Sequence, residues 1–207
     1  MNGAQVLLIR HGDTGAPLKG RFVGRRDVPL SPLGQEQARA LKHSIDLSRC
    51  REAFCSPMLR VRETIANASL EVMCQQDGDL REIDFGLWES LSFAEIARDY
   101  PEDVDRWARM EQDFCFPQGE AYADFLHRIQ RAGERIARAA AAQSEPVAIF
   151  AHGGVIRALI CLWLGLPAKH YLLFEIDPAS VSAVRLFGDQ GVLTCLNDRS
   201  HLLGVTA

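Results

Sequence analysis

Gln5-Val6-Leu7-Leu8-Ile9-Arg10-His11-Gly12-Asp13-Thr14 is an apolar run that ends in a permanent cation, an imidazole and a glycine. A short continuous apolar run closed by a glycine predicts a buried strand. In open α/β sheets ligands bind beyond the carboxyl ends of the strands, so a histidine delivered there faces a cleft. A second run, Pro146-Val147-Ala148-Ile149-Phe150-Ala151, ends the same way in His152-Gly153-Gly154. Two strands ending in two histidines predict one site built from both.

Outward from the first strand, a Gly/Arg-rich loop from Gly15 to Leu30 leads to Ser31 and Pro32. These are the N-cap and first-turn residues of a helix whose core stripe is Leu33, Ala38, Leu41 and Ile45. Glu52 to Cys55 reads as a buried strand, Pro57 as the opening of a helix through about Ala68, and Leu70 to Cys74 as a third strand. The rhythm to this point is β-α-β-α-β. It then changes: Ser92 and Glu95 form a capping box, Pro101 restarts a helix, and Trp88, Trp107, Phe114 and Phe116 crowd the segment. This predicts a helical lid insertion at about 80–118. Tyr122, Phe125, Ile129, Ile136 and Ala140 share one face of a long amphipathic helix. Tyr171 to Ile176, Val181 to Phe187 and Val192 to Leu196 read as strands or hairpins closing a sheet edge. The expected fold is an α/β three-layer sandwich with a mostly parallel central sheet, one domain over 1–207 with its lid.

Composition narrows the function. The chain has 207 residues, 47% hydrophobic and 24% charged, enough for a full core. A net charge of -4 and a pI near 5.9 argue against a nucleic-acid or membrane-surface binder. Six cysteines form no C-x-x-C pair and are expected to be buried free thiols. With no signal peptide and no apolar stretch long enough to span a bilayer, the expected location is the reducing cytoplasm. A homodimer stays open as an assembly.

A phosphate monoester is a dianion at neutral pH, so a nucleophile reaches phosphorus only where cations and N–H donors absorb charge on the other oxygens. Arg10 beside His11, and Arg60 in the first turn of the helix after Ser56-Pro57, are placed for that work. Arg21, Arg25 and Arg26 add charge to the first loop, and Gly153-Gly154 exposes backbone N–H groups beside His152. Neighbouring cations also disfavour imidazolium, which keeps a histidine nucleophilic. Glu82 is the candidate proton donor, with Asp84 and Glu89 as rivals. His43, His127, His170 and His201 have no metal-ligand spacing, so neither a metal nor another cofactor is expected.

Five motifs in order, Arg10-His11-Gly12-x-Thr14, Gly20-Arg21-Phe22-x-Gly24-x-x-Asp27-x-Pro29-Leu30-Ser31, Ser56-Pro57-x-x-Arg60, Leu80-x-Glu82-x-x-x-Gly86-x-Trp88-Glu89 and His152-Gly153-Gly154, resemble the histidine phosphatase, or phosphoglycerate mutase-like, superfamily. The resemblance implies that His11 is the phosphorylated nucleophile, that Arg10, Arg60 and His152 clamp the phosphoryl group, and that Glu82 serves as acid and then base. The acid phosphatase branch has an aspartate after its second histidine; Gly153 stands there, which favours Glu82. Two positions depart from the pattern: Pro17 where many members have asparagine, and Ser90 where glycine is usual. The longer insertion of glycolytic mutases is missing.

Trp107…Phe114-x-x-Pro117-x-x-Gly119-Glu120, Leu164-Gly165-Leu166-Pro167-Ala168 and Leu196-Asn197-x-Arg199 resemble the α-ribazole phosphatase branch. That resemblance implies a small phosphate monoester with an aromatic base as the partner. Thr14, Arg21, Phe22, Gly24, Gly153, Trp88 and Trp107 are the expected substrate contacts, and the aromatics could equally form the lid's own core. A broad small-metabolite phosphatase, a phosphoglycerate mutase and a non-catalytic phospholigand module are the alternatives.

Overall fold

The computed structural model describes residues 3–15, 18–43, 47–111, 113–188 and 190–205. Strand β1 (Ala4–Arg10) is followed by helix α1 (Pro32–Ala40), strand β2 (Glu52–Cys55), helix α2 (Leu59–Ala68) and strand β3 (Met73–Gln76). Short helices α3 (Phe93–Asp99) and α4 (Pro101–Ala108) precede the long α5 (Tyr122–Ala141). Strand β4 (Val147–Ala151), helix α6 (Gly153–Trp163) and strands β5 (Val181–Phe187) and β6 (Gln190–Asp198) follow. Among the described residues no helix is long and apolar enough to cross a membrane.

The sheet runs β3-β2-β4-β1-β5-β6. The β3/β2, β2/β4 and β4/β1 pairs are parallel, while β1/β5 and β5/β6 are antiparallel, so the fold is the expected α/β sandwich with a mostly parallel centre. Alternation along β1 splits the core in two. Val6 and Leu8 join the apolar faces of α5 and α6, whereas Leu7 and Ile9 join α2 and the residues after α1 on the other side. Both faces are covered, which explains why the strand reads as an unbroken apolar run.

Several local signals correspond to observed geometry. Ser31 Oγ accepts from the Gly34 N–H at 3.0 Å, and Ser92 with Glu95 makes both halves of a capping box. Ile45 and Pro17 lie outside the described residues. Other expectations need correction. Helix α2 starts at Leu59, not Pro57, because Met58 is extended (φ -70°, ψ 146°). Strand β3 starts at Met73, not Leu70, since Leu70 and Val72 pack beneath the sheet, so the apolar signal came from loop packing. Residues 171–176 form no strand. Ala168–Leu173 is a 3-10 turn, and the carbonyls of Phe174 and Ile176 accept from Arg157 Nε (2.7 Å) and Arg10 Nη1 (2.6 Å) instead of a strand partner. Cys50, Cys55 and Cys161 are buried, but Cys74 and Cys195 are half-buried and Cys115 is exposed.

Candidate active site

Sheet register assembles the inner end of the site. Arg10 pairs with Ala151 and Cys55 with Phe150, so the residues just beyond three adjacent parallel strands, His11, His152 and Ser56, arrive together. The ladder extends into them: the His11 N–H donates to Ala151 O (3.1 Å) and the Ser56 N–H to Phe150 O (3.0 Å). The two imidazole centroids are 5.2 Å apart. Helix α2 then adds Arg60, whose Nε lies 3.2 Å from His11 Nε2.

Hydrogen bonds orient each ring. His11 Nδ1 donates to its neighbour Gly12 O at 2.8 Å, leaving the Nε2 lone pair for the site. His152 Nε2 contacts Ser56 Oγ at 2.8 Å. Among the described residues, buried His152 Nδ1 and Arg10 Nε have no hydrogen-bond partner, a costly state for polar groups unless an anion completes them. Thr64 Oγ1, donating to Arg60 O (2.7 Å) and accepting from Gly12 N (3.1 Å), ties the loop after His11 to α2.

Burial pushes His11 well below the ordinary histidine range, and the Arg60 and Arg10 cations push it further. His152 is lowered too, by burial first, then by Arg60 and His11. Burial also pulls Arg60 down to about 10, which leaves it a cation at neutral pH. The resting site therefore holds two neutral imidazoles between fixed positive charges. Arg60 is itself fully buried, with Nη1 on Arg26 O (3.0 Å) and Nη2 on Gly24 O (2.8 Å).

Of the three carboxylates weighed as acid, Glu82 alone lines the cavity. Glu89 is occupied by the N–H groups of Gly24 and Arg25, and Asp84 by that of Gly86. The Gly154 N–H donates to Glu82 Oε2 at 3.0 Å, so the start of α6 holds this carboxyl group rather than standing open as an anion cradle. A Cβ at Gly154 would sit 2.5 Å from Glu82 Oε1, so a larger residue there would displace this carboxyl group.

The cavity is about 480 Å³ and opens outward from Arg10 and His11. Thr14, Arg21, Phe22, Gly153 and Trp107 line it, as expected, although Arg21 already bonds Ser90 O and Glu95. Trp88 does not. It is 0% exposed and packs edge-on against Phe116 and Phe22, so it belongs to an aromatic core with Phe114 and Phe116. Gly24 is also no wall residue, serving instead as the carbonyl support of Arg60. Arg25 lies 3.8 Å from Glu120 and Arg26 bonds Ser90 Oγ, both away from the cavity wall. Sequence reasoning missed Phe85, Tyr171, Lys19 and Arg157, which line the outer half; only the Arg and Lys charges offered any signal.

The fold and the paired strand-end histidines are those of a histidine phosphatase. The histidine phosphatase superfamily (branch 1) matches residues 6–199; the chain belongs to that superfamily and is a phosphoric monoester hydrolase. It is 29% identical over 202 residues to phosphoserine phosphatase 1 of Hydrogenobacter thermophilus, covering 96% of this chain and 94% of that protein. It is 27% identical over 198 residues to adenosylcobalamin/α-ribazole phosphatase of Escherichia coli K12, covering 95% and 97%. The crystal structure of the α-ribazole phosphatase from Shigella flexneri superposes with a TM-score of 0.79 at 27% identity, over 94% of this chain and 96% of that one.

Proposed function

We propose that this hydrolase works without a metal, through a phosphohistidine on His11, and that its substrate is α-ribazole 5′-phosphate. The observation that carries the chemistry is His11 with its Nδ1 tied to Gly12 O, beside buried Arg10 Nε and His152 Nδ1, which lack partners among the described residues. A phosphate monoester supplies oxygens for Arg10 Nε and His152 Nδ1, and Arg60 Nε moves from His11 Nε2 to the phosphoryl group. His11 Nε2 forms a bond to phosphorus as the ester P–O bond breaks, and Glu82 gives the departing alkoxide its proton. The resulting Glu82 carboxylate takes a proton from water as the water oxygen attacks phosphorus. The P–N bond breaks, and inorganic phosphate leaves neutral His11 behind.

Brief incubation with labelled substrate and quenching in base should trap an acid-labile phosphoprotein whose label sits on His11, with turnover unchanged in EDTA. Absence of the adduct, or a loss in EDTA restored by Mg²⁺, overturns the mechanism.

For the substrate, support comes from the aromatic outer wall, Phe22, Phe85, Trp107 and Tyr171, which offers faces to a planar base, and from the α-ribazole phosphatase relatives. A second reading, a three-carbon ester bearing a carboxylate such as phosphoserine, draws on Arg157 and Lys19. Both line the cavity, and among the described residues neither has a carboxylate paired to it. Comparing kcat/KM on the two esters decides between them. Rapid hydrolysis of phosphoserine with neglect of ribazole phosphate rejects the first reading and leaves the phosphohistidine chemistry intact.

A further inference from the structure

Helix α5 turns an apolar face to the sheet, with Phe125, Ile129, Ala132 and Ile136 fully or almost fully buried, yet Arg128 sits among them at 6% exposure. A guanidinium in such a place is costly unless every donor is met. Here each nitrogen is. Nε and Nη2 fork onto Glu120 Oε1 (2.6 Å) and Oε2 (2.8 Å), Nη1 donates to Asp79 O (2.7 Å) and Arg81 O (2.5 Å), and Nη2 also reaches Glu82 O at 3.1 Å. Glu120 grips the same strand of chain further on: its Oε2 accepts from Asp84 N (3.3 Å), and its own N–H donates to Asp84 O (2.9 Å). One buried ion pair thus straps the backbone on both sides of Glu82.

That backbone has no sheet or helix to hold it. Leu80 ends a 3-10 turn, and residues 81–85 run without regular structure to the next turn at Gly86–Trp88. Among the described residues, the Glu82 side chain itself is held only by the N–H groups of Ile83 and Gly154. Its height above His11 is therefore set by where Arg128 and Glu120 pin its main chain. A well-packed apolar pair often serves stability as well as a buried ion pair, so burial alone gives no reason for a charge here.

We propose that Arg128, with Glu120 as its partner, is the positioning residue that sets the Glu82 carboxyl at proton-transfer distance from the leaving oxygen. The proposal rests on the reading of Glu82 as the acid. Arg128 acts through Glu82 rather than on the substrate, since its guanidinium nitrogens are all engaged by Glu120 and by the carbonyls of Asp79, Arg81 and Glu82. Displacing a positioned catalytic group by about 1 Å can cost on the order of 10²-fold in rate. Losing the strap should therefore slow proton donation while sparing phosphate binding and nucleophilic attack.

The test is single-turnover phosphorylation of the enzyme by an alkyl phosphate and by p-nitrophenyl phosphate, whose phenolate leaves without a proton. Arg128→Met should slow phosphorylation by the alkyl ester about 30-fold and by the aryl ester less than about 3-fold, with KM changed little. Arg128→Lys should recover part of the alkyl rate. In the double variant with Glu82→Gln, Arg128→Met should add almost nothing to the loss caused by Glu82→Gln alone. Equal losses on both esters, no loss on either, or full additivity overturns the positioning role. If Arg128→Met does not fold, Glu120→Gln decides through the same ratio: an alkyl-selective loss supports the role and a flat ratio overturns it. Glu82→Gln run alone separates the two failures. If it too lacks alkyl selectivity, the acid assignment has failed; if it is selective and the strap variants are not, only the positioning has.

Discussion

The inner and outer parts of the site are built by different physics. At the inner end, three neighbouring parallel strands set His11, His152 and Ser56 by register, and Arg10, Arg60 and the two imidazoles are packed and hydrogen-bonded from behind. At the outer end, Lys19, Phe22, Phe85, Trp107 and Tyr171 come from loops, a short helix and a 3-10 turn, joined by Arg157 of α6, and are linked by edge-to-face rings and single hydrogen bonds. In the proposed mechanism the reaction, which tolerates little positional error, sits on the sheet, and substrate choice sits on segments that can change without disturbing it.

If the contrast is right, substitutions at the inner end remove chemistry and substitutions at the rim redistribute it among substrates. The largest effect belongs to His11→Ala: kcat should fall by about 10⁴-fold or more on every phosphate ester, because no other group takes over attack. Circular dichroism and thermal melting should show the fold retained. Residual activity that differs from ester to ester would break the contrast, since it would place selection at the inner end.

Trp88 and Trp107, both within the expected lid at about 80–118, sharpen it next. Trp88→Ala empties a fully buried site and should destabilise the protein by about 3–5 kcal/mol, read by urea unfolding. Trp107→Ala, at the cavity wall, should instead raise KM for ribazole phosphate by about 5–150-fold and spare p-nitrophenyl phosphate, since stacking on a base is worth about 1–3 kcal/mol. If the two effects are exchanged, the division between lining and core drawn here is wrong.

A smaller effect concerns pH. Both site histidines titrate below the ordinary value of 6.5 in the folded protein. As pH falls through 6.5 the unfolded chain takes up protons first. Their contribution to stability is thus complete above about pH 6.5 and is lost as pH drops toward the folded values, at up to about 1.4 kcal/mol per pH unit for each histidine. Unfolding at pH 7.5, 6.5 and 5.5 should show a shallower slope in His11→Ala than in the native chain. An unchanged slope would mean that His11 is not held neutral.

The smallest effect lies at Ser90, which has φ 67° in the left-handed region favoured by glycine. Its carbonyl and hydroxyl accept from Arg21 and Arg26, which holds a strained residue in place at the base of the outer half. Ser90→Gly should raise stability by about 0.5–1 kcal/mol with kcat on p-nitrophenyl phosphate unchanged. A decrease would show that the lost contact from Arg26 to the hydroxyl outweighs the relief of backbone strain.

The sequence by itself determined the features that are local or periodic. Apolar runs leading into Arg10-His11-Gly12 and His152-Gly153-Gly154 fixed the two central strands and the histidines at their ends. Ser31-Pro32 and the Ser92/Glu95 box set helix starts, and the spacing of Tyr122, Phe125, Ile129 and Ile136 set the buried face of α5. Tertiary structure alone decided what depends on segments far apart in the chain meeting. Trp88 and Trp107 look alike in sequence, but one is sealed under Phe22, Phe114 and Phe116 and the other reaches the cavity. The alternation in 171–176 resembles a strand until Arg10 and Arg157 claim its carbonyls. Arg128 reads as one more exposed helix arginine until Glu120 and the backbone around Glu82 surround it. Caps and periodicity are energies between residues a turn or a pleat apart, which the order of residues displays; packing and buried charge pairing are energies between surfaces that exist only after the chain has closed on itself.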